Sequence, residues 1–485
     1  MALLSISRMI THLAEKDPDR PSITCEDYTI NCKQLELKTN QLARAYKDMG
    51  VEPGDFVTIA LPNSIEFYES CIAVWKLGAA PQPVSSKLPQ IEREAIIELV
   101  NPSLVVGATV MGNRKTLPPG FEPDPGLSGK ELPDRVTAYH KAMTSGGSTG
   151  RPKLIVAKTP GQFDPDDEAL LMSTQVPDKA QLVTGPLYHN GPFMYSMLGL
   201  LMGNHIIVMK RFDAEESLRL IETYQVDWVM MVPTMMQRIW RLGGEIRNRY
   251  DLSSLRIMMH MAAHCPQWLK ESWINWLGPQ RVFEIYGGTE SNGSTWITGE
   301  EWLTHKGSVG KAVPGYKIKI AGENGETLKT GQVGEIFMLP ESGQGSTYYY
   351  IGAKADTIEG GWESLGDMGW MDEDGYLYLT DRKTDMIVSG GANIYPAEVE
   401  AAIDSHPAVR SSVVIGLPDD DMGKTVHALI DAPGGVTQAE LIAHLSEQLV
   451  RYKVPRSYEF VSAPLRDDAG KIRRPALIEE RSKAK

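Results

Sequence analysis

Cysteine is scarce in this chain: four thiols, Cys25, Cys32, Cys71 and Cys265, in 485 residues, with neither zinc-ligand spacing nor the density of a disulfide scaffold. They are expected to be reduced and buried, which points to a cytoplasmic protein. Long apolar runs are missing too. The stretch 180–209 carries no Asp, Glu, Lys or Arg, but Pro186, His189, Asn190, Pro192, Asn204 and His205 break it, so no transmembrane segment is expected. No block of Lys and Arg occurs, and the formal net charge of -13 argues against a nucleic-acid partner. There is no internal repeat and no low-complexity tract, and the apolar Met1–Ser5 is too short for a secretory leader.

A Walker A loop is absent as well, because Gly150 is followed by Arg151-Pro152 and Lys153 by Leu154. What stands there instead is Thr144-Ser145-Gly146-Gly147-Ser148-Thr149-Gly150-Arg151-Pro152-Lys153. Glycines and small hydroxyl residues let backbone N–H groups close on an anion, and Lys153 adds positive charge. This loop reads as the seat of a nucleotide's phosphates. Gly146 to Gly150 also satisfies the G-x-S-x-G pattern of a serine-hydrolase elbow. An elbow needs a buried strand before it and a helix after it; Tyr139–Met143 is a weak strand and Pro152 follows at once. A purely structural Gly-rich turn is the third reading.

Length suggests two or three domains, one of them large. Helical spacing covers 5–15, 33–49 and 65–77, and Phe56–Leu61 is an apolar strand. A second alternation follows: strand 181–184, helix 195–201, strand 205–209, helix 214–224, strand 228–232 and helix 234–242. Strand–helix alternation predicts largely parallel sheets with helices on their faces, hence two layered α/β units. From Gly307 short strands such as 316–320 and 334–338 predict a small β subdomain, and 398–449 a separate α+β unit with helices 398–404 and 437–449 and strands 409–416 and 425–430. The fold class is therefore α/β: an N-terminal domain over 1–382, made of two layered α/β subdomains plus a small β subdomain, then a separate α+β domain over 383–485.

A second chemical cluster, Tyr286-Gly287-Gly288-Thr289-Glu290, follows the apolar strand 281–285. Open α/β sheets place ligands at such strand ends. Thr289 can donate to a phosphoryl oxygen, and Glu290 offers the hard oxygen that Mg2+ prefers. Asp367, expected in a turn before a strand, and Arg382 suit a ribose diol. Lys471, in Asp467-Asp468-Ala469-Gly470-Lys471, is expected on a turn, where taken alone it reads as a solvated surface lysine.

Taken in order, these segments resemble the AMP-forming acyl-CoA synthetases, the superfamily that includes luciferases and the adenylation domains of peptide synthetases. The resemblance spans essentially the whole chain. It implies ATP, CoA and Mg2+ as cofactors and a carboxylic acid as substrate, activated as an acyl-adenylate and passed to a thiol. It implies that Thr144, Ser145, Gly146, Gly147, Ser148, Thr149, Gly150 and Lys153 grip the ATP phosphates. Thr289 would meet the α-phosphate, Glu290 the metal, and Asp367 and Arg382 the ribose, with Tyr286, Gly287 and Gly288 lining the nucleotide. Lys471 resembles the lysine that bridges carboxylate and α-phosphate. Ser389, Gly390 and Gly391 resemble the loop that lines the pantetheine tunnel after the small domain rotates. His189 would gate the passage between acyl pocket and tunnel. Three positions depart from the family pattern: Thr384 at the usual hinge, Gly147 in the phosphate loop, and Met261-Ala262-Ala263 where a Gly-Gly-Ala segment faces adenine, which makes Ala262 a nucleotide contact with an extra methyl group.

Methionine is abundant, 22 in all, with many between 194 and 261. Thioethers fill irregular apolar space, which suits either an ordinary core or a wide acyl pocket. Gly185–His189, Leu201–Asn204, Met231–Met235 and Trp268–Lys270 look similar to bile-acid and steroid side-chain CoA ligases, implying a bulky, alicyclic or medium-chain acid. A homodimer is the default expectation. Two other readings stay open: an amide synthetase that hands the adenylate to an amine, and a nucleotide-binding regulator that has lost catalysis.

Overall fold

The structure, a computed structural model, describes residues 3–146, 152–164, 174–419, 421–467 and 470–482, with Ser145 and Gly146 described by backbone only. Its first helix, Ile6–Lys16, starts where Ser5 accepts from the Arg8 N–H. A reciprocal cap between Asn31 and Gln34 starts the helix Cys32–Asp48. Asp213 caps Ala214–Tyr224, which matches the expected bounds.

A parallel sheet of four strands runs in the order Ala80–Pro83, Phe56–Ile59, Leu104–Val106, Thr116–Leu117. The second sheet has 14 strands. Its parallel half joins Val282–Gly287, Ile257–His260, Trp228–Met231, Ala180–Val183, His205–Val208 and Pro21–Cys25 in that spatial order. Helices cover both faces, so strands such as Trp228–Met231 and Ile257–His260 are buried at every position.

Two details differ from the expectation. The hairpin Pro21–Cys25/Tyr28–Asn31 leaves the first α/β unit and closes the edge of the second sheet beside His205–Val208. The strands after Gly307 are not a separate sheet: Ser308–Ala312 pairs with Ser294–Thr298, which pairs with Val282–Gly287. Antiparallel strands thereby extend the parallel sheet without a break, a continuity that pairing partners carry and hydrophobic pattern does not.

At the C-terminus Ser411–Asp419, Gly423–Asp431 and Ser457–Phe460 form a three-stranded sheet. Helices Pro396–Asp404 and Gln438–Ser446 pack on it through Val399, Ile403, Leu441 and Leu445. The four cysteines are free and buried. Among the described residues no helix is long and apolar enough to cross a membrane.

Candidate functional site

The strand Ala142–Gly146 turns back as Pro152–Ala157, with Ser145 opposite Lys153, and Tyr348–Ile351 adds the third strand. A strand, not a helix, therefore follows the Gly-rich loop, which removes the hydrolase elbow. Strand Ala142–Gly146 also begins later than the sequence suggested. Gly147, Ser148, Thr149 and Gly150 lie outside the described residues. Thr144 is held from below: Thr58 donates to Gln82 Oε1 at 2.7 Å, and Gln82 Nε2 donates to Thr144 Oγ1 at 2.6 Å.

Lys153 reaches across to the second motif. Its Nζ lies 3.2 Å from Glu290 Oε1 and donates to the Tyr350 hydroxyl at 3.0 Å. Tyr350 in turn donates to the same Glu290 oxygen at 2.6 Å, and its ring centroid lies 4.1 Å from the ammonium. Burial, then the Glu290 charge, pushes the Tyr350 phenol far above its usual pKa, so it stays a donor. Thr347 fixes the backbone by donating to Glu290 O at 2.9 Å.

Glycine is required beside Glu290. A Cβ on Gly288 would lie 2.5 Å from Leu365 Cδ1 and 2.8 Å from Glu290 Oε2. The bare backbone leaves a cradle at the end of the strand Val282–Gly287. Thr289 sits half-buried in the same turn.

Asp367 is a correction. It lies inside the strand Trp362–Met371, not in a turn, directly opposite Arg382 on Leu377–Arg382. The left-handed Gly366 and a register shift at Met368/Gly369 interrupt that strand locally, which is why its sequence reads as a turn. Tyr286 donates to Asp367 Oδ2 at 2.7 Å, and Arg382 Nε stands 3.4 Å from Oδ1. Burial raises the Asp367 pKa, with Arg382 opposing. The guanidinium itself is 63% exposed, free to meet a ligand.

The turn carrying Lys471 is closed by Gly470 N–H to Asp467 O at 2.9 Å and by Lys471 N–H to Asp467 Oδ1 at 2.8 Å. Gly470 has φ +75°, and a Cβ there would meet Thr234 Oγ1 at 2.9 Å, so the turn is seated against the helix Pro233–Trp240. The Lys471 residue is open to solvent, yet crowding by protein pulls its pKa below the ordinary lysine value, while Asp467 and Glu290 pull it up and Arg382 down. Solvent access keeps that shift modest in energy. Glu290 and Arg382 are thus within electrostatic reach of an amine from the far end of the chain.

Two expected groups stay outside this convergence. Ser389, Gly390 and Gly391 form the tip of the hairpin Ile387–Ser389/Ala392–Ile394, with Gly390 and Gly391 at φ +55° and +81°. Gly390 N–H donates to Met422 O at 3.0 Å, and no described contact joins the tip to Glu290 or Lys153. His189 is the N-cap of the helix Asn190–Leu201, with its ring centroid 4.3 Å from that of Tyr188. Ala262 follows the strand Ile257–His260 with φ +72°, a conformation suited to glycine.

Sequence reading missed Tyr350, Gln82 and Asp381. Asp381 accepts from the Ala397 N–H at 2.8 Å and so holds the start of the helix Pro396–Asp404; burial pushes its pKa up to about 6. Adjacency in the three-stranded sheet singles out Tyr350, whereas Tyr348-Tyr349-Tyr350 in sequence reads only as strand.

No three-carboxylate or His/Cys/Asp/Glu metal cluster occurs among the described residues. A lone buried carboxylate such as Glu290 beside Lys153 fits Mg2+, which takes one or two protein oxygens and completes its shell with water and substrate phosphates.

Residues 10–349 match the AMP-binding enzyme family and residues 398–471 the AMP-binding enzyme C-terminal domain. The chain is 31% identical over 479 residues to a 2-succinylbenzoate–CoA ligase of Bacillus licheniformis, covering 96% of this chain and 98% of the relative. It is 30% identical over 503 residues to the 3-[(3aS,4S,7aS)-7a-methyl-1,5-dioxo-octahydro-1H-inden-4-yl]propanoyl:CoA ligase of Rhodococcus jostii, covering 94% of each. In fold it superposes on an o-succinylbenzoate CoA synthetase of Bacillus subtilis in complex with its acyl-adenylate intermediate, with a TM-score of 0.83, 24% identity and 98% of each chain covered.

Proposed function

This chain belongs to the AMP-binding enzyme family and is an AMP-forming acid–thiol ligase that uses ATP and Mg2+, and from that premise we propose that it joins a bulky, largely apolar carboxylic acid to CoA. The carrying observation is the ion pair of Lys153 with Glu290, with Arg382 and Lys471 within electrostatic reach, the four drawn from distant segments.

The chemistry needs such a meeting. An anionic carboxylate must approach an anionic triphosphate, so positive charge has to stand where the two converge. Lys153 holds the β- and γ-phosphate side with the 144–150 loop, and Lys471 bridges the attacking carboxylate and the α-phosphate. Thr289 donates to the α-phosphate, and Asp367 with Arg382 holds the ribose. Mg2+, when bound, neutralises phosphate charge and orients the leaving pyrophosphate. Glu290 supplies its protein oxygen, and the Tyr350 hydroxyl, donating to it, aims that carboxylate. Tyr286, Gly287, Gly288 and Ala262 border the base and sugar.

On the acyl side Met194, Met230, Met259 and Met261 pack with Tyr195, Trp228 and Phe283. A Cβ on Gly191 would come within 3.1 Å of Met230 Sδ and 3.2 Å of Met261 Sδ, so flexible thioethers crowd the first turn after His189. A fused or branched acyl group suits walls that can re-pack. The Rhodococcus relative's name carries a bicyclic propanoyl group and the Bacillus relative's an aromatic acid, both bulky, which supports this size.

We divide the chain functionally at Arg382/Lys383, with 383–485 rotating to bring Ser389, Gly390 and Gly391 to the thioester step. The test is acid-dependent ATP–pyrophosphate exchange across linear, aryl and alicyclic acids, followed by CoA-dependent AMP release. Exchange confined to short linear acids sinks the pocket assignment. Consumption of the adenylate by an amine but not by CoA sinks the ligase reading.

A further inference from the structure

Lysines Lys76, Lys141 and Lys270 are among the buried residues, each 1–2% exposed, and they are not alike. Lys76 Nζ pairs with Glu36 at 2.8 Å, and Lys270 Nζ with Glu284 at 2.5 Å. Lys141 meets no carboxylate among the described residues. Its ammonium donates to Asn190 Oδ1 at 2.6 Å and lies 3.7 Å from Met194 Sδ.

An amide oxygen and a thioether do not neutralise a buried charge. Leaving one ammonium unpaired in the interior costs far more than leaving the two paired ones. The surroundings make the deficit worse. Asn190 opens the helix Asn190–Leu201, whose N-terminus has no side-chain cap bond and no acidic residue in its first turn. The ammonium therefore lies against the first turn of this helix, whose positive end adds to the unbalanced charge, with no carboxylate among the described residues to offset it. Burial pulls the Lys141 pKa down to about 8, which leaves it mostly protonated at neutral pH.

Position gives the charge a use. Met194, its second contact, packs with Tyr195, Met230, Met259 and Met261, the cluster assigned above to the acyl group. Asn190 follows His189, the residue read above as the gate of the acyl passage. We propose that Lys141 is a specificity-determining residue that binds an acceptor oxygen, a ketone or a second carboxylate, carried on the acyl portion of the acid away from its reacting carboxyl. The acid is then bulky and apolar with one buried polar anchor. A site built to hydrogen-bond such an oxygen rejects the analogue that lacks it, because the ammonium is left without its partner.

This inference rests on the acid–CoA ligase reading, and the experiment separates the two. Acid-dependent pyrophosphate exchange is measured on the full chain with 3-cyclohexylpropanoate, its 4-oxo derivative and its 4-carboxy derivative, for wild type, Lys141→Met and Lys141→Arg. No exchange with any acid overturns the ligase reading. With exchange present, the expected result is a kcat/KM at least about tenfold higher for an oxygenated acid than for the plain one, the size of a charged hydrogen bond. Preference for the 4-oxo acid identifies a neutral anchor, and preference for the 4-carboxy acid an anionic one.

Lys141→Met is expected to erase the ratio and Lys141→Arg to retain part of it. A wild-type ratio near one overturns the proposal without any variant, as does a Lys141→Met enzyme that keeps the wild-type ratio. In wild type, a preference for the 4-carboxy acid falls as the pH rises through the lysine's titration; a flat ratio across that range overturns the anionic form.

Discussion

Tyr350→Phe deletes one oxygen from the centre of the site and isolates what aiming Glu290 is worth. The hydroxyl donates to Glu290 Oε1 at 2.6 Å and accepts from Lys153 at 3.0 Å. A hydrogen bond to an ionised group contributes about 1.5–3 kcal/mol. The ring stays under the ammonium at 4.1 Å, so the cation–π contact is kept. Loss of the donor frees Glu290 to fold further onto Lys153, competing with both metal and phosphate. The expected result is a fall in kcat/KM for acid-dependent pyrophosphate exchange of about 10- to 100-fold, which is 1.4–2.8 kcal/mol. It should be partly recovered by raising Mg2+, with melting temperature little changed. Tyr350→Leu, which also removes the ring, should lose a further severalfold. Exchange and Mg2+ dependence both unaltered in Tyr350→Phe would refute the role given to Glu290 as metal ligand.

Four further outcomes are expected. Lys471→Ala should lower adenylation by about 100-fold or more, the scale of a single electrostatic donor, while thioester formation from supplied acyl-adenylate is spared; equal loss of both half-reactions contradicts its role. Ala262 sits at φ +72°, where left-handed strain of about 1–2 kcal/mol outweighs the ~0.5–1 kcal/mol of chain freedom that glycine adds, so Ala262→Gly should raise the melting temperature slightly; a lower one refutes the strain argument. Lys270→Met strands the buried Glu284 carboxylate, whose pKa Lys270 and His260 hold down against burial, at a cost of about 3–5 kcal/mol, and adding Glu284→Gln should return most of it in urea unfolding. His260 is fully buried, neither ring nitrogen makes a hydrogen bond among the described residues, Nε2 standing 3.9 Å from Glu284 Oε2, and burial lowers its pKa to about 4 against ~6.5 unfolded. The unfolded chain then binds the extra proton, so this stability is complete above pH 6.5 and drains as pH falls toward 4, by up to about 3 kcal/mol; a His260→Gln variant with the same slope over that window argues against it.

Local signals were strong where one residue sets one event. Asp213 before Ala214 and the Asn31/Gln34 pair mark helix starts, and their spacing is visible in the chain. The segments 144–153, 286–290 and 467–471 stand out in the sequence because each motif is short and continuous. Pairing does not. Nothing in Pro21–Cys25 says that it lies beside His205–Val208 instead of Phe56–Ile59, since a short strand's own residues do not name its partner. The bulged strand around Asp367 reads as a turn because Gly366 and Gly369 depress its propensity, while its partners on both sides keep it extended. Tyr350 and Lys141 were missed for the same reason: their meaning comes from what faces them, Glu290 at a separation of 60 residues and Asn190 at 49.

Electrostatic ties also divide the chain around Thr384. Lys383 is anchored backwards, its N–H donating to Gly366 O at 2.8 Å and its ammonium to Glu335 at 2.8 Å. Asp385 is anchored forwards, to Arg474 at 2.8 Å. Thr384 lies between the two, its hydroxyl reaching only Asp385 at 3.4 Å. The N–H groups of Asp385 and Met386 donate across Thr384 to Arg382 O at 3.0 and 3.2 Å, so a change of the Thr384 torsions would release those two bonds while leaving both ion pairs in place. The contacts that a rotation must release are of a suitable kind. Arg241 donates to the carbonyls of Arg410 and Val409, Arg473 pairs with Glu92 at 3.1 Å, and the 467–471 turn rests on Thr234. These are polar contacts at the surface between the two parts, and an exposed pair such as Arg473–Glu92 contributes about 0–1 kcal/mol. Apolar burial is concentrated instead within each part, the C-terminal cluster around Ile387, Val399 and Leu441 being complete by itself. A seam of such polar contacts can open and reseal within the turnover of an enzyme, and while closed it keeps Lys471 within electrostatic reach of Glu290.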